Sequence, residues 1–93
     1  MKLKLYLVVQ EGCAPCVYVK RQLERVENWE KYVTIVDVRK DIEFANRFQI
    51  SGTPSLVGVK NSGEAKVFGG AKEMTKSFWV QLFESLDDSG LVE

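Results

Sequence analysis

The chain has 93 residues, and its thirteen basic and thirteen acidic side chains cancel to no net charge. Such a length suits one domain rather than two, so we expect residues 1–93 to form a single domain that acts as a monomer. A neutral chain is not drawn to nucleic acid or to an anionic membrane, and we expect neither as a partner. The sequence has no histidine, which removes the commonest general base and metal ligand, and we expect no metal or other cofactor.

An almost wholly apolar segment, Leu3 to Val9, predicts a first strand that is buried on both faces of a sheet. The apolar run from Leu5 is shorter than the hydrophobic part of a signal peptide, and no small-x-small cleavage site follows it. No segment is long enough to cross a membrane. We therefore expect the mature chain to start at residue 1 and to work in the reducing cytoplasm, because two cysteines are too few for a secreted disulfide scaffold.

A helix is predicted over residues 14–28, because apolar side chains recur along it at three- and four-residue intervals. This stripe consists of Cys16, Val19, Leu23 and Val26. The β-branched and apolar segment from Tyr32 to Val38 predicts the second strand. Asp41 is a suitable N-cap for a short helix from Ile42 to Phe48.

The second half of the chain predicts a hairpin and a last helix. Two short strands, Ser55 to Val59 and Ala65 to Phe68, are joined by a turn at residues 61–63. A helix is expected over residues 72–86, and the tail 87–93 is expected to be frayed. The apolar side chains assigned to the inner side of this helix are Met74, Phe78, Leu82 and Leu86, with Trp79 and Phe83 beside them.

The order of elements, β-α-β-α-β-β-α, defines the expected fold class, an α/β domain. A strand–helix–strand unit makes a right-handed crossover between parallel strands, and the hairpin adds antiparallel ones. We therefore predict a mixed four-stranded sheet with helices on both faces.

The segment Cys13-Ala14-Pro15-Cys16 lies where a buried strand is followed by a helix. Cys13 falls at the first turn, where unpaired N–H groups and the helix dipole stabilise a thiolate. Cys16 belongs to the apolar stripe one turn later and is expected to be more buried. One exposed, acidified thiol and one shielded thiol suit disulfide exchange, with Cys13 as the nucleophile and Cys16 as the resolving residue. Pro15 suits the first turn of a helix, where its missing N–H is not needed.

Two structural interpretations of the cysteine pair are weaker. A zinc site needs about four ligands, and this chain would have to find the others in carboxylates or a second chain. A purely structural disulfide between these cysteines would close a very small loop and add little stability. A Cys-x-x-Cys motif between a strand and a helix therefore favours redox chemistry.

Two further segments are candidates for a substrate groove. Thr53-Pro54 precedes a strand predicted beside the first one; a cis bond would leave the Thr53 backbone free to pair with a peptide, whereas a trans proline would simply open the strand. Phe68-Gly69-Gly70 either forms another wall of the groove or ends the hairpin. With the neighbours of the cysteines, the predicted groove comprises Gly12, Ala14, Pro15, Thr53, Pro54, Phe68, Gly69 and Gly70.

From Leu3 to about Leu86, the sequence resembles the thioredoxin family. Residues 37–45 are similar to that family's second strand and following helix, residues 48–56 to the segment with its cis-proline, and residues 60–64 to its hairpin turn. Ala14-Pro15 between the cysteines is similar to the reducing members. The resemblance implies a minimal thioredoxin fold and a cis bond before Pro54.

The sequence also departs from that family. The extra N-terminal strand and helix of full-size thioredoxins are missing, a layout closer to glutaredoxins, and Gly12 stands where thioredoxins usually carry Trp. Leu7 stands where they carry a buried Asp that helps to deprotonate the second cysteine. Cys16 is therefore expected to lose its proton to water, to Cys13 as it leaves, or to a peripheral group such as Glu11.

The resemblance implies an oxidoreductase that reduces disulfides of client proteins and receives electrons from a thioredoxin reductase. The nearest alternative is a glutaredoxin-type enzyme that uses glutathione; Gly69-Gly70 is similar to that family's glycine pair, although Ala71-Lys72 follow instead of its usual acidic or hydroxyl residue. An alternative of another class is a binding module, in which two chains hold a metal or an iron–sulfur cluster through Cys13. The colour and metal content of freshly purified protein would identify such a module.

Overall fold

Four strands form one mixed sheet in the computed structural model, which describes residues 3–90. The strands are β1 (Leu3–Val9), β2 (Val33–Asp37), β3 (Ser55–Lys60) and β4 (Ala65–Phe68), and they lie in the order β2-β1-β3-β4. β1 runs parallel to β2 and antiparallel to β3, and β3 runs antiparallel to β4. The predicted mixed four-stranded sheet is confirmed.

Within residues 3–90, three α-helices accompany the sheet, namely α1 (Ala14–Glu24), α2 (Ile42–Arg47) and α3 (Lys76–Ser89). Single turns of 3₁₀ helix lie at Trp29–Lys31 and Ala71–Glu73. The helix predicted over residues 14–28 was too long, because the chain leaves α1 after Glu24 and Asn28 adopts a left-handed conformation with φ 64°. Asparagine tolerates that conformation better than most residues, and a right-handed helix cannot include it.

The last helix starts later and ends later than predicted. Thr75 is its N-cap, and its hydroxyl accepts a hydrogen bond from the backbone N–H of Phe78 at 3.3 Å. The helix continues through Ser89 and ends at Gly90, whose φ of 66° is left-handed. Residues 87–89 are therefore helical rather than frayed, and the rest of the predicted tail, residues 91–93, lies outside the described residues.

β1 is covered by helices on both faces, because successive side chains of a strand point to opposite sides. Leu5 and Leu7 belong to a buried cluster with side chains of α1 and α3. On the other face, the ring of Tyr6 meets the ring of Phe44 in α2 edge-on, with centroids 5.1 Å apart. The prediction of helices on both faces is confirmed.

The buried stripe of α3 consists of Trp79, Phe83 and Leu86. Phe78 and Leu82, which were predicted to point inward, are only partly buried because they lie beside this stripe. Met74 is buried as predicted but precedes the helix.

Tyr32, just before β2, joins that strand to the last helix. Its ring stacks on the ring of Phe83 with centroids 4.2 Å apart, and its hydroxyl donates a hydrogen bond to the Asp87 carboxylate at 2.7 Å. This hydrogen bond to a carboxylate raises the pKa of Tyr32. Among residues 3–90, no helix is both long and apolar enough to span a membrane.

Candidate active site

The two cysteines lie at the N-terminus of α1, directly after the end of β1. Gly12 turns the chain out of the strand with φ 80°, a left-handed conformation that suits glycine. Cys13 is the N-cap of α1 and Pro15 lies in its first turn. Cys13 and Cys16 form a disulfide, with their Cα atoms 5.2 Å apart.

The two sulfurs are in different surroundings. Cys16 is 3% exposed and packs on the inner side of α1, whereas Cys13 is half-buried and its neighbours Gly12, Ala14 and Pro15 are exposed. The backbone N–H of Cys16 donates to Cys13 Sγ at 3.2 Å, so this sulfur takes the position of an N-cap acceptor. The helix terminus therefore favours negative charge on Cys13 when the disulfide is reduced.

Thr53 lies against Cys13 although it is 40 residues away in the chain, and Thr53 is followed by Pro54. The peptide bond between them is cis, Pro54 is buried and Thr53 is half-buried. The Thr53 hydroxyl lies 3.6 Å from Cys13 Sγ and the Thr53 carbonyl oxygen lies 3.7 Å from it. A disulfide sulfur has no proton, so the carbonyl can accept a hydrogen bond only from the reduced, protonated thiol.

The remaining predicted groove residues fall into two neighbouring depressions. Gly70 shares one with Pro15 of α1, together with Tyr18, Ala71, Lys72 and Glu73. Phe68 and Gly69 line the other, a mostly apolar depression of about 250 Å³ that also includes Gly70, Leu56 and Met74. Tyr18, which is 44% exposed, was not singled out from the sequence. Its signal was available, since an aromatic residue off the apolar stripe of α1 must face outward.

The interior beneath the cysteines is apolar. Leu7 is fully buried, and its partners on the neighbouring strands are Ile35 and Leu56. Among residues 3–90, Ser55 is the one polar or charged residue classed as buried, and its hydroxyl donates to the carbonyl of Gly52. No group of three or more Cys, His, Asp or Glu that could hold a metal occurs within the same residues.

Thr53→Val provides a direct test of the contact to Cys13, because valine keeps the shape of threonine without its hydroxyl. We expect iodoacetamide to alkylate Cys13 of the reduced variant about two- to threefold more slowly at neutral pH, since the thiolate loses a hydrogen-bond donor. Thr53→Ser keeps the hydroxyl and is the matched control. Equal alkylation rates in the wild-type protein and Thr53→Val would show that this hydroxyl does not act on the sulfur.

The chain is similar in structure to known thioredoxins. The thioredoxin of Fasciola hepatica shares 24% identity at a TM-score of 0.68, covering 94% of this chain and 80% of that one. The reduced thioredoxin pre-protein of Schistosoma mansoni shares 25% at a TM-score of 0.67, covering 94% and 78%. A malarial protein with 13% identity has a TM-score of 0.70 and covers 91% of this chain and 97% of its own. No family model and no curated protein sequence matches the chain.

These similarities show that the chain has the thioredoxin fold. A cysteine pair at the N-terminus of α1, within this fold, supports a thiol–disulfide oxidoreductase in general.

Proposed function

We propose that this chain reduces disulfides of client proteins by dithiol exchange, with Cys13 as the nucleophile and Cys16 as the resolving cysteine. The observation that carries the proposal is the unequal exposure of the two sulfurs at the end of one helix: Cys13 is half-buried, and Cys16 is 3% exposed. A client sulfur can approach the first but not the second.

The exchange takes two steps. The Cys13 thiolate attacks one sulfur of the client disulfide; a mixed disulfide forms, and the other client sulfur leaves as a thiolate that takes up a proton. Cys16, as a thiolate, then attacks Cys13 Sγ and displaces the second client sulfur. Two electrons pass from the protein to the client, and the protein is left with the Cys13–Cys16 disulfide that the structure contains.

Helix α1 supports the first step. The N–H of Cys16 already points at Cys13 Sγ, and the first turn of α1 contains no acidic residue that would oppose a thiolate. The thiolate form is the nucleophile in exchange, so a helix terminus that stabilises this form raises the reactive fraction of Cys13 at neutral pH.

The surroundings of Cys13 favour an extended polypeptide as the substrate. Thr53 presents its backbone carbonyl beside the sulfur, and the exposed apolar surface of Pro15 and Tyr18 adjoins Gly70. Backbone pairing with shallow apolar contacts recognises protein segments of varied sequence.

The same surroundings favour a protein as the electron donor. Gly12, Ala14, Pro15 and Gly69 are exposed and uncharged, and the depression beside Pro15 contains one cation, Lys72, together with the acidic Glu73. Glutathione has two carboxylates and is normally held by basic groups. We therefore propose a flavin-dependent thioredoxin reductase as the donor, and a monomer acting in the cytoplasm.

The test supplies each donor system separately and follows reduction of insulin disulfides. We expect turnover with NADPH and a thioredoxin reductase, little turnover with glutathione and glutathione reductase, and none in either system for Cys13→Ser. Turnover with glutathione alone would reassign the chain to glutaredoxin-type chemistry. Failure with both systems and with dithiothreitol as the donor would overturn the reductase function itself.

A further inference from the structure

A groove of about 400 Å³ opens onto Cys16 between the ends of β1 and β2 and the first turns of α1. Its walls come from Val9 at the end of β1 and the three residues that follow it, from Cys16, Val17 and Lys20 of α1, and from Asp37 at the end of β2 with Lys40 beyond it. The resolving cysteine is therefore nearly inaccessible to a client but lies next to space that water can occupy.

Cys16 has to lose a proton before it can resolve the mixed disulfide, and burial disfavours its thiolate. The chain has no histidine. Leu7 is an apolar residue of the core, and residues 3–90 contain no carboxylate classed as buried. A carboxylate of these residues that accepts the proton must consequently be reached through the groove.

Two carboxylates line this groove, Glu11 and Asp37, and the backbone holds the second of them in place. Asp37 is the Cα partner of Val9 in the parallel pair, and the next residue, Val38, donates its N–H to the Val9 carbonyl at 3.0 Å. One Asp37 carboxylate oxygen accepts the N–H of Arg39 at 2.9 Å, so the carboxylate is oriented while its other oxygen can accept a further hydrogen bond. Asp37 is half-buried, whereas Glu11 is exposed.

We propose that Asp37, acting through water in the groove, accepts the proton of Cys16 as Cys16 attacks the mixed disulfide. The proposal rests on the exchange function above. The S–H bond of Cys16 breaks, its sulfur forms the bond to Cys13 Sγ, and the client thiolate leaves. The proton passes to the Asp37 carboxylate and finally to solvent or the client thiolate, so no external oxidant or reductant takes part. The other charged groups on the groove are Lys20, Lys40 and Glu11, and the two ammonium groups balance the two carboxylates.

A two-phase experiment isolates the resolving step. Reduced protein is mixed with an aromatic disulfide such as Ellman's reagent; the first release of aryl thiolate reports the attack by Cys13, and the second reports resolution by Cys16. For Asp37→Asn we expect an unchanged first phase and a second phase slowed about tenfold at mildly acidic pH. The difference in second-phase rate between Asp37→Asn and the wild-type protein should become smaller as the pH rises, because hydroxide then takes the proton directly.

Matched variants define the outcome. Asn still accepts the Arg39 N–H, and Asp37→Ser provides a second carboxylate-free variant if Asp37→Asn does not fold by circular dichroism. We expect Glu24→Gln, which removes an exposed carboxylate of α1 outside the groove, to behave as the wild-type protein. Asp37→Glu should recover part of the lost rate at acidic pH. An unchanged second phase in Asp37→Asn would overturn the role proposed for Asp37, and so would a second phase slowed equally in Glu11→Gln. Either result would leave the exchange function intact. Absence of the first phase in the wild-type protein would instead overturn the exchange function.

Discussion

Cys16→Ser is expected to convert the protein from a catalyst into a trap for its substrate. The variant keeps the half-buried Cys13 at the N-terminus of α1, so the first attack on a client disulfide proceeds. Serine cannot displace the client from Cys13, and the mixed disulfide therefore accumulates. Non-reducing electrophoresis should show a covalent complex with insulin that dithiothreitol dissolves, and turnover should fall by roughly a thousandfold or more.

Cys13→Ser is the matched control for this experiment. It should show no turnover and no covalent complex, because the remaining sulfur of Cys16 is 3% exposed. In the reduced wild-type protein, iodoacetamide should alkylate Cys13 first, and the pKa of that thiol should lie below that of a free cysteine. Faster alkylation of Cys16, or a stable complex formed by Cys13→Ser, would reverse the two roles.

Leu7→Asp is expected to cost more stability than any other single change considered for this chain. The Leu7 side chain is fully buried among its neighbours, with 0% of its surface accessible to solvent. The substitution removes a core side chain and places a carboxyl group there without a partner. We expect a loss of about 3–5 kcal/mol in the free energy of unfolding at neutral pH, measured by urea denaturation.

The pH dependence of the free energy of unfolding of Leu7→Asp distinguishes the effect of the buried charge from the effect of the lost packing. Burial raises the pKa of a new aspartate in the folded state above its unfolded value of about 3.9. The variant is then least destabilised below that pH, and its deficit grows as the pH rises toward the folded-state pKa. Leu7→Asn is the uncharged control. Equal stability of the two variants at neutral pH would contradict the charge argument.

The same variant tests proton transfer, provided that enough of it folds. A carboxylate in the core beneath the cysteines should change the pH profile of turnover. An unchanged profile in folded Leu7→Asp would show that this position does not control the ionisation of Cys16.

The strands could be predicted closely because their residues carry the signal locally. Leu3–Val9 is apolar except for Lys4, and the structure places it in the interior of the sheet between β2 and β3. The position of Cys13 at a helix N-terminus followed from the change between strand and helix patterns. The helix ends were less predictable, because the left-handed backbone at Asn28 and the cap at Thr75 end or start helices within segments whose apolar spacing suggests continuity.

The sequence did not identify Asp37 as a proton acceptor for Cys16, and Glu11 was named only as a peripheral one. The missing information is topological rather than local. A right-handed crossover makes β2 the parallel neighbour of β1, so the residues after both strands meet at the same edge of the sheet. The register that pairs Val9 with Asp37 then determines which carboxylate faces the groove, and this register cannot be read from either segment alone.

The contribution of α3 to the core has a consequence during synthesis on the ribosome. Met74 and the α3 residues Trp79, Phe83 and Leu86 pack with side chains of β1 and α1. A nascent chain that has exposed only the cysteine motif and the sheet therefore lacks one wall of its hydrophobic cluster. The two cysteines therefore emerge from the ribosome before the core that buries Cys16 can be completed. Stable folding must wait until the last helix has left the exit tunnel.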